Sequence, residues 1–314
     1  MKKLLINLFL FTLFLFVSIT VTLSTVGIET NKFNNLISEK ASETKNIFLK
    51  LKTIKFKIDL REMSLFLETA IKAAKSAGQL LKEHYYKVKE VDSYEQYDIK
   101  LQLDVMSQNL ISEIILQDHP EHSIIGEEGD SLSDHSKYHW IVDPIDGTVN
   151  YYYGIPHFCV SIALKNASND EWLVGVIYDP MMDELWAVEV GNKPTLNGKE
   201  ITTSQRSQMF EAVVTVGFSK SKEAMDTGFE RYRNISTKVR KTRMMGSAAL
   251  ALAYIACGRL DAYIEDTISL WDIAAGKLLV EAAGGKVDLT DSKIQKGKLS
   301  ICSWNGNLPL KNNI

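Results

Sequence analysis

The segment Trp140-Ile141-Val142-Asp143-Pro144-Ile145-Asp146-Gly147-Thr148 constrains this chain more than any other. An apolar run of strand character carries two aspartates, three residues apart, into a turn stiffened by Pro144, where Gly147 lets the backbone approach a ligand. Upstream, Ser123 to Gly126 reads as another short buried strand and ends on Glu127-Glu128-Gly129. Strand ends are where a rigid scaffold presents side chains to a cleft. An isolated acidic pair there is usually just part of a turn. Three or more carboxylates converging on one pocket repel each other, so the combination calls for hard, oxygen-seeking divalent cations. Mg2+ suits the set, because it takes few protein carboxylates and fills its other positions with water and phosphate oxygens. Two such ions can clamp the attacking and leaving oxygens of a phosphoryl displacement.

The surrounding pattern supplies the scaffold. Ser64 can cap a helix running to about Tyr86, with Leu65, Leu67, Ile71, Ala74, Leu80 and Leu81 as its apolar face. A second helix is expected over Val105–Gln117, ending before His119-Pro120. Strands are expected at Tyr138–Val142, Phe158–Leu164, Trp172–Tyr178, Glu184–Val190, Val213–Phe218, Ala262–Glu265, Lys286–Leu289 and Leu299–Cys302, with Asn197-Gly198 as a hairpin turn. Helices fall at Lys222–Ile235, Ser247–Cys257 and Trp271–Ala283, the last closed by Gly284-Gly285. Helices and hairpin-linked strands in mixed order predict a layered α/β sandwich rather than a regular βαβ array.

Charge divides the chain in two. Residues 1–62 carry ten Lys/Arg against five Asp/Glu (+5), and residues 63–314 carry 26 against 34 (−8). Within the first piece, Leu4 to Ile28 is uncharged for 25 positions, long enough to span a bilayer and longer than a signal-peptide core. Two readings stay open: a retained membrane anchor, or translation starting at Met63, which leaves a cytoplasmic protein of 252 residues. The net charge of −3 gives no reason to expect nucleic acid as a partner. Cys159, Cys257 and Cys302, odd in number and far apart, make neither a disulfide framework nor a zinc motif. His119, His122, His135 and His139 lack zinc spacing and are expected in solvated loops. The basic run from Arg231 to Arg243 lacks the interleaved aromatics of a nucleic-acid module and reads as a solvated helix end and strand.

The string from Trp140 to Asn150, followed by Val160-Ser161-Ile162-Ala163-Leu164, resembles the signature of the inositol monophosphatase family. Trp271-Asp272-Ile273-Ala274-Ala275-Gly276 with Glu281-Ala282-Ala283-Gly284-Gly285 resembles a second signature, and the likeness spans about Leu65 to Asn305. The resemblance implies the family's sugar-phosphatase fold, with a metal half (63–205) and a substrate half (206–314). It implies two or three Mg2+ ions on Glu127, Asp143, Asp146, Asp272 and the Ile145 carbonyl. Thr148 and Asp104 would activate water together with the Glu127 site, and Gly147 and Thr148 would cradle phosphate. Gly246, Ser247 and Ala248 would touch substrate, and Glu265 would accept a sugar or cyclitol hydroxyl. One position departs: Leu101 stands where the family has a threonine whose hydroxyl helps orient the residue matching Asp104. The implied activity is Mg2+-dependent, lithium-sensitive hydrolysis of an inositol monophosphate or similar polyol phosphate, often by a homodimer. Fructose 1,6-bisphosphate, histidinol phosphate and 3′-phosphoadenosine 5′-phosphate are the alternative substrates, and Ile145 leans toward the inositol type. A regulatory binding protein on the same fold is the alternative outside enzymes.

Overall fold

Apolar strands with no polar alternation need cover on both faces, and the computed structural model provides it. It describes residues 64–89, 91–95, 98–133, 136–218 and 221–310, all within a unit covering 61–314. The apolar run 4–28 lies outside the described residues. No helix among those described is long and apolar enough to cross a membrane.

In chain order the elements begin with helix α1 (64–84), β1 (Val91–Glu95), β2 (Asp98–Leu101), α2 (Gln102–Asp118), β3 (Ser123–Gly126), β4 (Tyr138–Asp146) and α3 (Thr148–Tyr152). There follow β5 (Cys159–Asn166), β6 (Glu171–Asp179), β7 (Glu184–Glu189), β8 (Thr195–Leu196), β9 (Lys199–Glu200), β10 (Val213–Val216), α4 (Lys222–Ser236) and β11 (Lys241–Arg243). Last come α5 (Ala248–Ala256), β12 (Ala262–Ile268), α6 (Leu270–Ala282), β13 (Lys286–Asp291) and β14 (Leu299–Trp304). Strands β3 to β9 form a seven-stranded sheet in sequence order. A five-stranded sheet is ordered β11-β10-β12-β14-β13, and β1 and β2 pair as a separate hairpin.

Alternate residues on a strand face opposite sides, so β4 sends Trp140 and Val142 one way and Ile141 the other. Trp140 and Val142 join a core with Phe66 and Ala70 of α1 and Ile111 and Ile115 of α2. Ile141 joins Leu250 and Ala253 of α5 and Ile273 of α6, together with Tyr263 and Ile301 from the five-stranded sheet. Ala262 and Ile264 face the other way and pack with Ile235 of α4. The layers therefore run helix, sheet, helix, sheet, helix, with α5 and α6 in the middle. Each fully buried aliphatic side chain contributes roughly 1.5–3 kcal/mol.

Several expectations are adjusted. The buried stripe of α1 includes Ala74 and Leu81 as expected, joined by Phe66, Ala70, Ala73 and Ala77, a row of alanines that lets the helix lie close against the sheet, while Leu65 is exposed. The hairpin β1–β2 went unforeseen; its strands are only five and four residues long, too short for a pattern to stand out. His122 is buried rather than solvated: it accepts a hydrogen bond from Trp140 Nε1 at 3.0 Å and stacks on His119. Burial pushes its pKa down to about 4. The Asn197-Gly198 turn appears as expected, both residues with positive φ (49° and 76°) joining β8 to β9. The basic stretch Lys241–Arg243 is the edge strand β11, where charge discourages pairing with other chains.

Candidate metal centre

In an unbroken strand, residues three apart point to opposite faces. Asp143 and Asp146 escape that rule because β4 bulges between them: Asp143 pairs with Ser161, Asp146 pairs with Cys159, and two residues of β4 stand opposite Val160 alone. Pro144, which lacks an N–H for the ladder, sits in the bulge, a usual place for proline in an interior strand. The strand thus continues to Asp146 rather than ending at Val142, and the extra residue lets both carboxylates serve one centre. Asp272, in the first turn of α6, completes it: ligand atoms of Asp143, Asp146 and Asp272 all lie within 4.8 Å of one another.

Each carboxylate is held by local donors. Ile145 N–H donates to Asp143 at 3.0 Å. Asp146 accepts from Ser247 Oγ and from the N–H groups of Ala248 (3.3 Å) and Ala249 (2.7 Å), at the N-terminus of α5. Asp272 accepts from the Ser269 N–H at 2.9 Å, as the acid of a capping box. Lys298 Nζ donates to Ser269 Oγ and lies over the Trp271 ring, 5.4 Å from its centroid.

Burial and mutual repulsion oppose these donors. Burial, then the charges of Glu127, Asp146 and Asp272, drives the Asp143 pKa well above its ordinary value. Asp146 rises to about 6, chiefly through burial, with its helix donors pulling the other way. Asp272 also reaches about 6 through burial and the Asp146 charge. Carboxylates that can ionise together only at this expense form an oxygen donor set suited to a hard divalent cation, so the residues fit Mg2+.

Asp104 and Thr148 meet beside this cluster. Thr148 Oγ1 lies 2.9 Å from the Ile145 carbonyl oxygen and 3.4 Å from Asp104 Oδ1, and can donate to either. Helix α2 starts at Gln102, earlier than expected, because Asp104 accepts the Leu101 N–H at 2.8 Å and caps the first turn. The orientation expected from a threonine hydroxyl at 101 comes from the main chain instead, and the Leu101 side chain is buried in the core. Burial, reinforced by Glu127 and Glu128, raises Asp104 to about 8. Glu127, half-buried after β3, stands outside the tight triad, yet its charge also raises Asp143 and Asp146.

Gly147 is the left-handed N-cap of α3 (φ 99°), and a Cβ there would come within 3.0 Å of the His157 carbonyl and 3.2 Å of the Gly246 carbonyl. The loop carrying Gly246, Ser247 and Ala248 is brought to Gly147 by a residue that sequence reasoning missed. Asn150 Nδ2 donates to the carbonyls of His157 (2.8 Å), Met245 (3.0 Å) and Gly246 (3.4 Å). Its only signal was a position inside the motif string. Glu265 is buried on β12, accepts a hydrogen bond from Tyr263 OH, and is raised to about 8 by burial and by the charges of Asp272 and Asp146.

Residues 62–310 match the family model described as the inositol monophosphatase family. The chain belongs to the inositol monophosphatase family. Inositol monophosphatase 2 of Solanum lycopersicum is 38% identical over 257 residues, covering 78% of this chain and 96% of the relative. The Nus factor SuhB of Xylella fastidiosa is also 38% identical, covering 69% of this chain and 79% of the relative. The solved inositol monophosphatase from Anabaena (Nostoc) superposes with a TM-score of 0.67 at 36% identity, covering 78% of this chain and 92% of that one. This family member therefore has the layered fold of the phosphatases it resembles and is a phosphoric monoester hydrolase.

Proposed function

We propose that the chain hydrolyses an inositol monophosphate or a similar small polyol or sugar phosphate in a Mg2+-dependent reaction. The observation that carries this reading is the convergence of the buried Asp143 and Asp146 with the half-buried Asp272 beside the Thr148–Asp104 pair. Asp143, Asp146, Asp272, Glu127 and the Ile145 carbonyl would hold two or three Mg2+ ions. When bound, such ions neutralise phosphate and make a water easier to deprotonate. If the Ile145 carbonyl held a cation, Thr148 Oγ1 would still have Asp104 Oδ1 as an acceptor. A water proton could then pass through Thr148 Oγ1 to Asp104 Oδ1, with the ionised carboxylate as the final acceptor. The backbone N–H groups of Gly147 and Thr148, at the start of α3, are supported as phosphate donors by helix-terminus electrostatics. Gly246, Ser247, Ala248 and Glu265 would contact the alcohol portion. In this scheme 63–205 supplies most cation ligands and 206–314 most substrate contacts.

The membrane-anchored form belongs to a product retaining 4–28, and the cytoplasmic form to one starting at Met63. A homodimer is proposed on the family resemblance. Relatives named Nus factor SuhB support a second reading, a regulatory binding protein on the same fold. Phosphate release from a panel of inositol, fructose, histidinol and adenosine phosphates, with Mg2+ and with or without Li+, separates the two. Turnover of an inositol monophosphate is expected, with Asp143→Asn losing on the order of a thousandfold while remaining folded. Near-normal turnover in that variant would sink the metal scheme, and no turnover of any ester by the parent protein would favour the binding reading.

A further inference from the structure

Glu265 has two carboxylate oxygens, and their surroundings differ. Tyr263 precedes it by two residues on β12, so both side chains leave the same face of the strand. The Tyr263 side chain is buried, and its hydroxyl donates to Glu265 Oε2. Among the described residues no other hydrogen bond reaches the Glu265 carboxylate. On the far side lies Gly217, just after β10, whose N–H donates to the Ile264 carbonyl at 2.9 Å and so holds its α-carbon against the strand. A Cβ at 217 would overlap Oε2 and Cδ of Glu265 outright and come within 3.0 Å of its Cβ. No positive φ is involved, so what residue 217 must provide is room rather than backbone freedom.

We propose that Tyr263 and Gly217 are the positioning pair that fixes Glu265, holding Oε2 at the back of the site and leaving Oε1 to receive a hydroxyl of a polyol substrate. The proposal rests on the reading of Glu265 as the acceptor of a substrate hydroxyl. The physical need is clear. A glutamate side chain has several rotamers open to it, and the Tyr263 hydroxyl together with the close approach of Gly217 selects one. A buried phenol likewise requires an acceptor, so each group satisfies the other. With one oxygen committed, the second can tell a substrate rich in hydroxyls from one that has none. Tyr263 and Gly217 then govern selectivity between phosphate esters, while the aspartate triad serves every ester alike.

The test compares E265Q, Y263F and G217A with the parent protein in saturating Mg2+. For each, kcat and KM are measured with myo-inositol 1-phosphate and with 4-nitrophenyl phosphate, whose aryl group offers no hydroxyl. E265Q should lower the ratio of kcat/KM between the two esters by about tenfold, mainly through KM for the inositol ester. Y263F should lower it about fivefold in the same way, and G217A by at least as much. A purely structural role would reduce both esters in proportion and leave the ratio where it was. If E265Q shifts the ratio while Y263F and G217A stay within about twofold of the parent, the positioning pair is overturned and the Glu265 reading stands. If E265Q leaves the ratio unmoved, the Glu265 reading falls and the pair falls with it. Thermal melts with Mg2+ identify a variant that fails to fold, in which case the remaining one decides.

Discussion

Asp104 takes its orientation from the main chain and from Thr148. The Leu101 N–H and the Thr148 hydroxyl reach its two oxygens, while the Leu101 side chain packs inside the core. Restoring the family's threonine would therefore add little that is missing and remove apolar volume that is in use. Leu101→Thr is expected to change kcat less than about twofold while lowering stability by about 1–3 kcal/mol, read as a fall in Tm. A large gain in kcat would show that the main-chain hydrogen bond is an inadequate substitute. At this scale the motif acids could be read from the chain because their spacing carries chemistry. Asn150 and Tyr263 could not, since each acts through a partner that only the fold defines: the Met245 and Gly246 carbonyls for one, the rotamer of Glu265 for the other.

Two bulges and two helix starts build the site. The bulge in β4 brings Asp143 and Asp146 together, and β12 has its own register shift just after Glu265. Helix α5 begins on Ser247, whose Oγ accepts the Leu250 N–H at 3.2 Å and donates to Asp146. One hydroxyl thus caps a helix and fixes a carboxylate of the metal centre. Ser247→Ala should cost about 1–2 kcal/mol through the lost cap and weaken Mg2+ binding roughly tenfold or more, measured by titrating activity against Mg2+. Ala and wild type with equal Mg2+ dependence would separate the cap from the centre. Strand and helix positions were legible wherever apolar residues form a long run, as in β5, β6 and α6. Ends were not: β4 runs on through Pro144 because a bulge absorbs the missing donor, and α2 starts early because Asp104 caps it. Hairpin β1–β2, with strands of only five and four residues, offered too short a pattern to read.

Across the whole molecule the buried acids set how stability depends on pH. Without cations, Asp104 and Glu265 titrate near 8, Asp143 is strongly raised, and Asp146 and Asp272 lie near 6, all above their unfolded values. The folded protein then binds more protons than the unfolded chain, so stability falls as pH rises through these values. His122 acts in the opposite sense: its lowered pKa removes stability as pH falls from about 6.5 towards 4. Above pH 6.5 that histidine contribution is constant and the carboxylates alone decide. In a chelator, Tm should decline between pH 6.5 and 8, and the rise in Tm on adding Mg2+ should grow over the same interval. An equal Mg2+ effect at both ends would contradict repulsion among these groups. The layered architecture was foreseeable from the mixed order of helices and strands. That α5 and α6 fill the space between the two sheets was not, since periodicity reports a buried face without naming what covers it.

The placement of Asp272 has a consequence for the order in which the chain acquires its structure. Asp143 and Asp146 belong to the seven-stranded sheet, whereas Asp272 arrives on α6, packed between that sheet and the five-stranded one. Asp143 and Asp146 repel each other as soon as β4 forms, whereas the charge of Asp272 joins them only when α6 packs against the seven-stranded sheet. A chain completing that step among divalent cations meets a screened centre. If Asp272 joins after the folding barrier, a chain deprived of cations is expected to fold at a similar rate and unfold faster, which unfolding rates with and without Mg2+ would check.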